Sequence, residues 1–142
     1  ERLRDRGLAR TLGVCNVSIS ELERIVDVAR VSPAMVQVES HPYRPRTELV
    51  EWCHARGIRV LAHSPLSAPG LLGEPILREV ADEHGVTPAA AALAYHVDRG
   101  VVPVPASNES EHIVANLAAA RVRLTADDRE RLATLEDPGF ER

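Results

Sequence analysis

Met35-Val36-Gln37-Val38-Glu39-Ser40 runs directly into His41-Pro42-Tyr43. The run is β-rich, and a segment with helical signals follows it, from Thr47 to Arg56, with Gly57 as its stop. Three more stretches share this design: residues 10–15, 58–64 and 101–105 are short β-rich runs, each followed by a helical segment. Four such alternations predict βα units built on a parallel sheet.

The helix signals are specific. Ser18 and Ser20 each stand three residues ahead of a glutamate, Glu21 and Glu23, giving two candidate capping boxes for a helix over 21–30. Leu22, Ile25, Val26 and Ala29 fall on one face of that helix. Thr47 is the expected cap of the next. A Pro/Gly-rich loop over 65–73 leads to Glu74-Pro75, which opens a helix that stops at Gly85. Thr87-Pro88 opens another, closed by Gly100. Helices over 111–120 and 126–135 follow, the last capped by Thr125, and residues 1–8 read as the last turns of a helix ending at Gly7. No repeat or low-complexity linker interrupts residues 1–142, so a single domain is expected. Periodicity leaves two architectures open: a small doubly wound sheet, or half of an eight-stranded barrel, which in full takes about 250 residues.

Composition narrows the function. A net charge of −4 argues against nucleic acid as a partner, and an aromatic content of 3% argues against a stacking-based site for nucleic acid or sugar. Cys15 and Cys53 form no disulfide framework, and six histidines show no metal-ligand spacing, so no metal is expected. No apolar stretch is long enough to span a bilayer and no signal-peptide pattern is present, so a cytoplasmic location is the simplest expectation. All 17 basic residues are arginine.

Four motifs, in order, carry a family resemblance. Leu12-Gly13-Val14-Cys15-Asn16 resembles the fifth strand of the aldo-keto reductases, and Val36-Gln37-Val38-Glu39-Ser40-His41-Pro42-Tyr43 the sixth. Leu61-Ala62-His63-Ser64-Pro65-Leu66 resembles the seventh, and Val104-Pro105-Ala106-Ser107, with His112 and Asn116 beyond it, the eighth. The resemblance is to the C-terminal half of the compact bacterial type. It implies half of a (β/α)8 TIM barrel, four parallel strands with surrounding helices, completed by dimerisation or by a partner chain.

The resemblance also implies a nicotinamide cofactor, NADP or NAD. Cys15, Asn16 and Gln37 would hydrogen-bond its carboxamide, with Cys15 in place of the usual serine; the alternative for Cys15 is a buried, inert thiol. His63 would stack on the nicotinamide. Ser64, Leu66 and Ser67 would begin the pyrophosphate loop, and Ser107, His112 and Asn116 would meet the adenosine end. Ala106 and His112 stand where the family has the lysine and arginine that clamp a 2′-phosphate, so NADH, or no nucleotide at all, becomes an option. The family's catalytic tetrad is Tyr, Lys, His and Asp. Here Tyr43 belongs to the His-Pro-Tyr turn, Tyr95 to a helix, and lysine is absent, so no catalytic residue of that tetrad is assigned.

The resulting expectation is a truncated aldo-keto-reductase-like half barrel, with a remnant cofactor site and no carbonyl reductase activity of its own. One alternative is a dimeric half-barrel enzyme doing non-redox chemistry (elimination, isomerisation or cyclisation) with Cys15, Glu39, His41 and His63 at the strand ends. Another is a non-catalytic binding or scaffold module. Expected partners are a second copy or a separate N-terminal half, with no nucleic acid and no membrane. Glu39 faces the barrel interior by strand alternation and needs a partner there, whereas His41-Pro42-Tyr43, Trp52 and His96 read as packing residues.

Overall fold

The four β-rich runs become the four parallel strands of one sheet, ordered β1 (Gly13–Cys15), β2 (Met35–Glu39), β3 (Arg59–His63) and β4 (Val102–Val104). The structure, a computed structural model, describes residues 1–140. Helices alternate with the strands: α1 (Arg2–Asp5), α2 (Ile19–Val28), α3 (Thr47–His54), α4 (Pro75–Glu83), α5 (Pro88–Asp98), α6 (Ser110–Ala118) and α7 (Ala126–Ala133). The α/β class read from the alternation is the class adopted. Among the described residues no helix is long and apolar enough to cross a membrane.

The chain packs as two compact units. The first comprises Glu1–Val38 with Arg46–Leu61; the second comprises Glu39–Pro45 with the chain from Ala62 onward.

In the first unit β1 and β2 pair in parallel, Gly13 opposite Met35, Val14 opposite Val36 and Cys15 opposite Gln37. Gly13 is required by that register: a Cβ there would stand 2.7 Å from Met35 Cγ and 3.1 Å from the Met35 carbonyl. Ser18, rather than Ser20, caps α2. Its Oγ accepts the Glu21 N–H, and the Glu21 carboxylate accepts the Ser18 N–H at 2.8 Å. Leu22 is the fully buried residue of α2, with Ile25, Val26 and Ala29 half-buried on the same face. Thr47 is the first residue of α3 and not its cap; Arg46 takes that position in the left-handed region, φ 56°. Arg56 lays its guanidinium over the Trp52 ring, 4.0 Å from the centroid. The segment around α1 is tied down by the Glu1 carboxylate, which accepts the Val31 N–H at 2.8 Å, and by Arg30 bonded to Asp5 at 2.6 Å.

The second unit is organised around α5. Every residue from Ala90 to His96 is buried, as a helix apolar on all sides must be. Leu71, Leu77, Val80, Leu124 and Leu132 pack with α5 residues Ala91, Ala92 and Tyr95 in one core cluster. Thr87 caps α5 by accepting the Ala90 N–H at 3.1 Å, and Pro88 fills its first position. Thr125 caps α7 in a capping box with Asp128, and Asp128 also takes the His84 ring at 2.9 Å. The 39–45 segment is gripped from two sides: Arg99 donates to the Pro45 carbonyl at 2.9 Å, and Tyr43 donates to Glu74 at 2.5 Å. α6 is the exception in this unit, burying none of its residues.

Candidate functional site

The residues singled out from sequence fall at strand ends in both units. In the first unit, the β1–β2 register sets Cys15 beside Gln37, and the Asn16 N–H donates to the Gln37 carbonyl at 2.8 Å. Cys15, Asn16 and Gln37 are therefore brought together. Asn16 sits at φ 53°, a conformation that asparagine tolerates better than most residues and that ends the strand abruptly. Cys15 is exposed, so the alternative of a buried thiol is set aside: β1 is too short and too near the sheet margin to cover it. Gln37 shares the face of β2 opposite Val36 and Val38, whose side chains are buried.

In the second unit, His63 closes β3 and its Nδ1 lies 3.1 Å from Ser64 Oγ. Ser64 takes φ 54°, and its carbonyl accepts the Ser67 N–H at 3.1 Å, so His63, Ser64 and Ser67 form one tight turn at the end of the strand. Leu66 goes elsewhere. It lines a cavity of about 310 Å³ together with Ala106, Ser107, His112 and Asn116. Thr87-Pro88-Ala89, the start of α5, supplies another wall. The lining is mostly apolar, and His112, exposed on α6, is the one ionisable side chain in it. Ser107 Oγ accepts the Glu109 N–H at 3.1 Å, which fixes the hydroxyl at the entrance of α6. Glu109 and Glu111 stand on either side of Ser110 at the start of α6, both exposed.

A second cavity, of about 440 Å³, shares Ser107 and Asn116 with the first and is walled by Leu93, Val97, Pro103, Pro105, Ile113 and Leu117. The sequence reading missed it. Its walls come from helix faces and a strand edge whose exposure only the fold reveals.

The alternative acid–base group is differently placed. Glu39 Oε1 stands 3.8 Å from His41 Nε2, which supplies the partner that alternation demanded for Glu39. The His41 ring is wholly buried, edge-on to Phe140 at 4.7 Å and to Tyr43 at 6.2 Å. That is the environment of a packing residue. His96 is also fully buried and donates from Nδ1 to the Ala92 carbonyl at 3.0 Å, while burial holds its pKa below the ordinary histidine value. Burial and the bond to Glu74 push the Tyr43 phenol up to about 12, so it holds its proton firmly against Glu74. Tyr95 is raised as well, chiefly by burial. Among the described residues no group of three or more His, Cys, Asp or Glu side chains is arranged to hold a metal ion.

Comparison with known proteins bears on what these strand ends belong to. The model of the aldo/keto reductase family matches residues 1–137. Aldo-keto reductase family 1 member A1 of Mus musculus is 34% identical over 140 residues, covering 92% of this chain and 43% of that protein. The NADH-dependent D-xylose reductase of Candida parapsilosis is 31% identical over 150 residues, 96% of this chain and 46% of that protein. The solved aldose reductase of Schistosoma japonicum superimposes with a TM-score of 0.91 at 31% identity, over 98% of this chain and 46% of that one. The chain thus spans about half the length of the relatives it matches, and its four-stranded sheet corresponds to half of their TIM barrel.

Proposed function

The chain belongs to the aldo/keto reductase family, and we propose that it furnishes the cofactor-binding half of a nicotinamide-dependent reductase site without reducing carbonyls by itself. The observation that carries this reading is the cavity of about 310 Å³ that gathers Leu66 with Ser107, His112 and Asn116, two stretches far apart in sequence. In the first unit, the clustering of Cys15, Asn16 and Gln37 supports it independently.

The residues fit one part of the cofactor and not another. An apolar cavity with one amide and one fixed hydroxyl suits an adenosine, which needs burial of its ring and a few directional bonds. Asn16 and Gln37 carry amides that can donate and accept at once, as a carboxamide requires. A 2′-phosphate is poorly served. Ala106 offers no charge and His112 at most one. Each missing charge-assisted bond is worth about 1.5–3 kcal/mol. Two of them make NADPH weaker by about two orders of magnitude or more relative to a fully clamped site. NADH is therefore the expected nucleotide.

When bound, the nucleotide supplies a hydride. In the first unit Asn16 and Gln37 would serve a carboxamide; in the second, taken by itself, His63 would offer its ring at the end of β3 and the cavity lined by Ser107 and Asn116 would enclose an adenosine. Protonating a developing alkoxide needs an acid the chain does not offer. Tyr43 is committed to Glu74, Tyr95 is buried on the core side of α5, and no lysine exists to tune either. The test is calorimetric titration of NADH and NADPH into pure protein, followed by a carbonyl reduction assay. Saturable NADH binding without turnover is the expected result; robust turnover by the chain alone, or no binding of either nucleotide, would refute the reading.

A further inference from the structure

Ser40 Oγ and His96 Nε2, both in the second unit, are buried without a hydrogen-bond partner among the described residues. Both residues are wholly buried, and they are neighbours. The His96 ring meets the Ser40 backbone, which favours the protonated ring and so presents its acceptor, the carbonyl. Ser40 is also a junction. Its N–H donates to the His63 carbonyl at 3.4 Å, which ties the 39–45 turn to the end of β3. Arg99, just past the end of α5, ties the same turn to that helix through the Pro45 carbonyl.

The protons decide what belongs between them. The Ala92 carbonyl stands 3.0 Å from His96 Nδ1 and has no proton to give, so Nδ1 carries the ring's hydrogen. Burial disfavours the charged ring, which leaves Nε2 with a bare lone pair in need of a donor. The Ser40 carbonyl cannot meet that need, because it too only accepts. The Ser40 hydroxyl has the opposite need: it holds a proton and meets no acceptor. Protein interiors satisfy such groups with ordered water that makes about three bonds. We propose that one internal water molecule is bound between Ser40 and His96. It donates one hydrogen to His96 Nε2 and the other to the Ser40 carbonyl, and it accepts the Ser40 hydroxyl. An anion does not fit, because Nε2 and the carbonyl would both turn lone pairs toward it. A larger ligand does not fit either, since neither residue is open to solvent. The water joins α5 to the 39–45 turn at the residue that also holds His63, and it fixes the tautomer of His96.

Nitrogen-15 NMR of the histidine rings at neutral pH reads the tautomer. His96 is expected as the Nδ1–H form; an Nε2–H form or an imidazolium overturns the proposal. Oxygen-17 relaxation dispersion of the solvent counts the waters held for longer than the protein takes to tumble, and exchange of hydroxyl protons does not enter that count. Ser40→Ala removes only the hydroxyl and should show one such water fewer than the parent, with the circular dichroism unchanged; equal counts overturn the proposal. A crystal structure of the parent protein gives a reading that needs no variant. Ordered density within hydrogen-bonding reach of both Nε2 and Oγ is expected, and a direct bond between those two atoms overturns the proposal. All three measurements are made without nucleotide, so their outcome is independent of the cofactor reading above.

Discussion

Asp128→Asn tests how the second unit is held together. The Asp128 side chain is 2% exposed and its Oδ2 accepts three bonds: the Thr125 N–H at 2.7 Å, the Thr125 hydroxyl at 2.8 Å and the His84 ring at 2.9 Å. Burial alone would raise this carboxyl. The bonds from His84 and Thr125 outweigh it and hold the pKa at about 2, against an ordinary 3.8. At about 1.4 kcal/mol per unit, that difference corresponds to about 2 kcal/mol. His84 is 21% exposed, so solvent screening reduces the contribution to about 1–2 kcal/mol. The sign follows from the direction of the shift. A carboxyl depressed by folding stabilises the protein fully above its unfolded pKa, near 4, and the contribution is lost as pH falls toward 2. Asparagine keeps the volume and one acceptor but not the charge. Urea unfolding followed by circular dichroism should place the variant about 1–2 kcal/mol below the parent at pH 7, with the gap closing between pH 4 and pH 2. A variant as stable as the parent at pH 7, or a gap that ignores pH across that window, would show that Thr125 and His84 are held by something other than the charge of Asp128.

Three more outcomes are expected. Gly13→Ala should cost about 1–3 kcal/mol through the 2.7 Å approach to Met35, and the double change with Met35→Ala should cost less than the sum of the two single changes, measured by thermal unfolding. His96 is buried neutral, its pKa lowered mainly by burial, so the stability it allows is present above about 6.5 and falls away below it; His96→Phe should flatten the acid limb of a stability–pH curve below pH 6.5. Ala106→Lys with His112→Arg should raise NADPH affinity relative to NADH about 100-fold by calorimetry; an unchanged ratio would mean that the cavity beside them does not face the 2′-position.

What could be read from the sequence is what depends on neighbours along the chain. Ser18, Thr87 and Thr125 were legible as caps because a cap bonds a residue three positions on. The strands were legible because their β-rich runs are bounded by turn and helix signals, although each came out shorter than its run. Thr47 failed as a cap for a reason outside its own neighbourhood. The preceding turn, closed by the bridge between His41 and Arg44, is held through Pro45 by Arg99, 54 residues away, and brings the chain into α3 through Arg46. The site divides along the same line. Cys15, Asn16 and Gln37, grouped beforehand only by the family resemblance, meet through strand pairing, whereas the Leu66–Asn116 cavity depends on how α5 and α6 flank β4. α6 makes the point most sharply. Ile113, Val114 and Leu117 carry the apolar content of a helix that covers a core, yet all three stay exposed, with Ile113 and Leu117 walling the open cavity beside α5. A pattern encodes a need for burial and not the identity of what does the burying. Among the described residues five helices bury part of that pattern against residues distant in sequence, whereas α6, like α1, buries none of its residues although it packs beside α5.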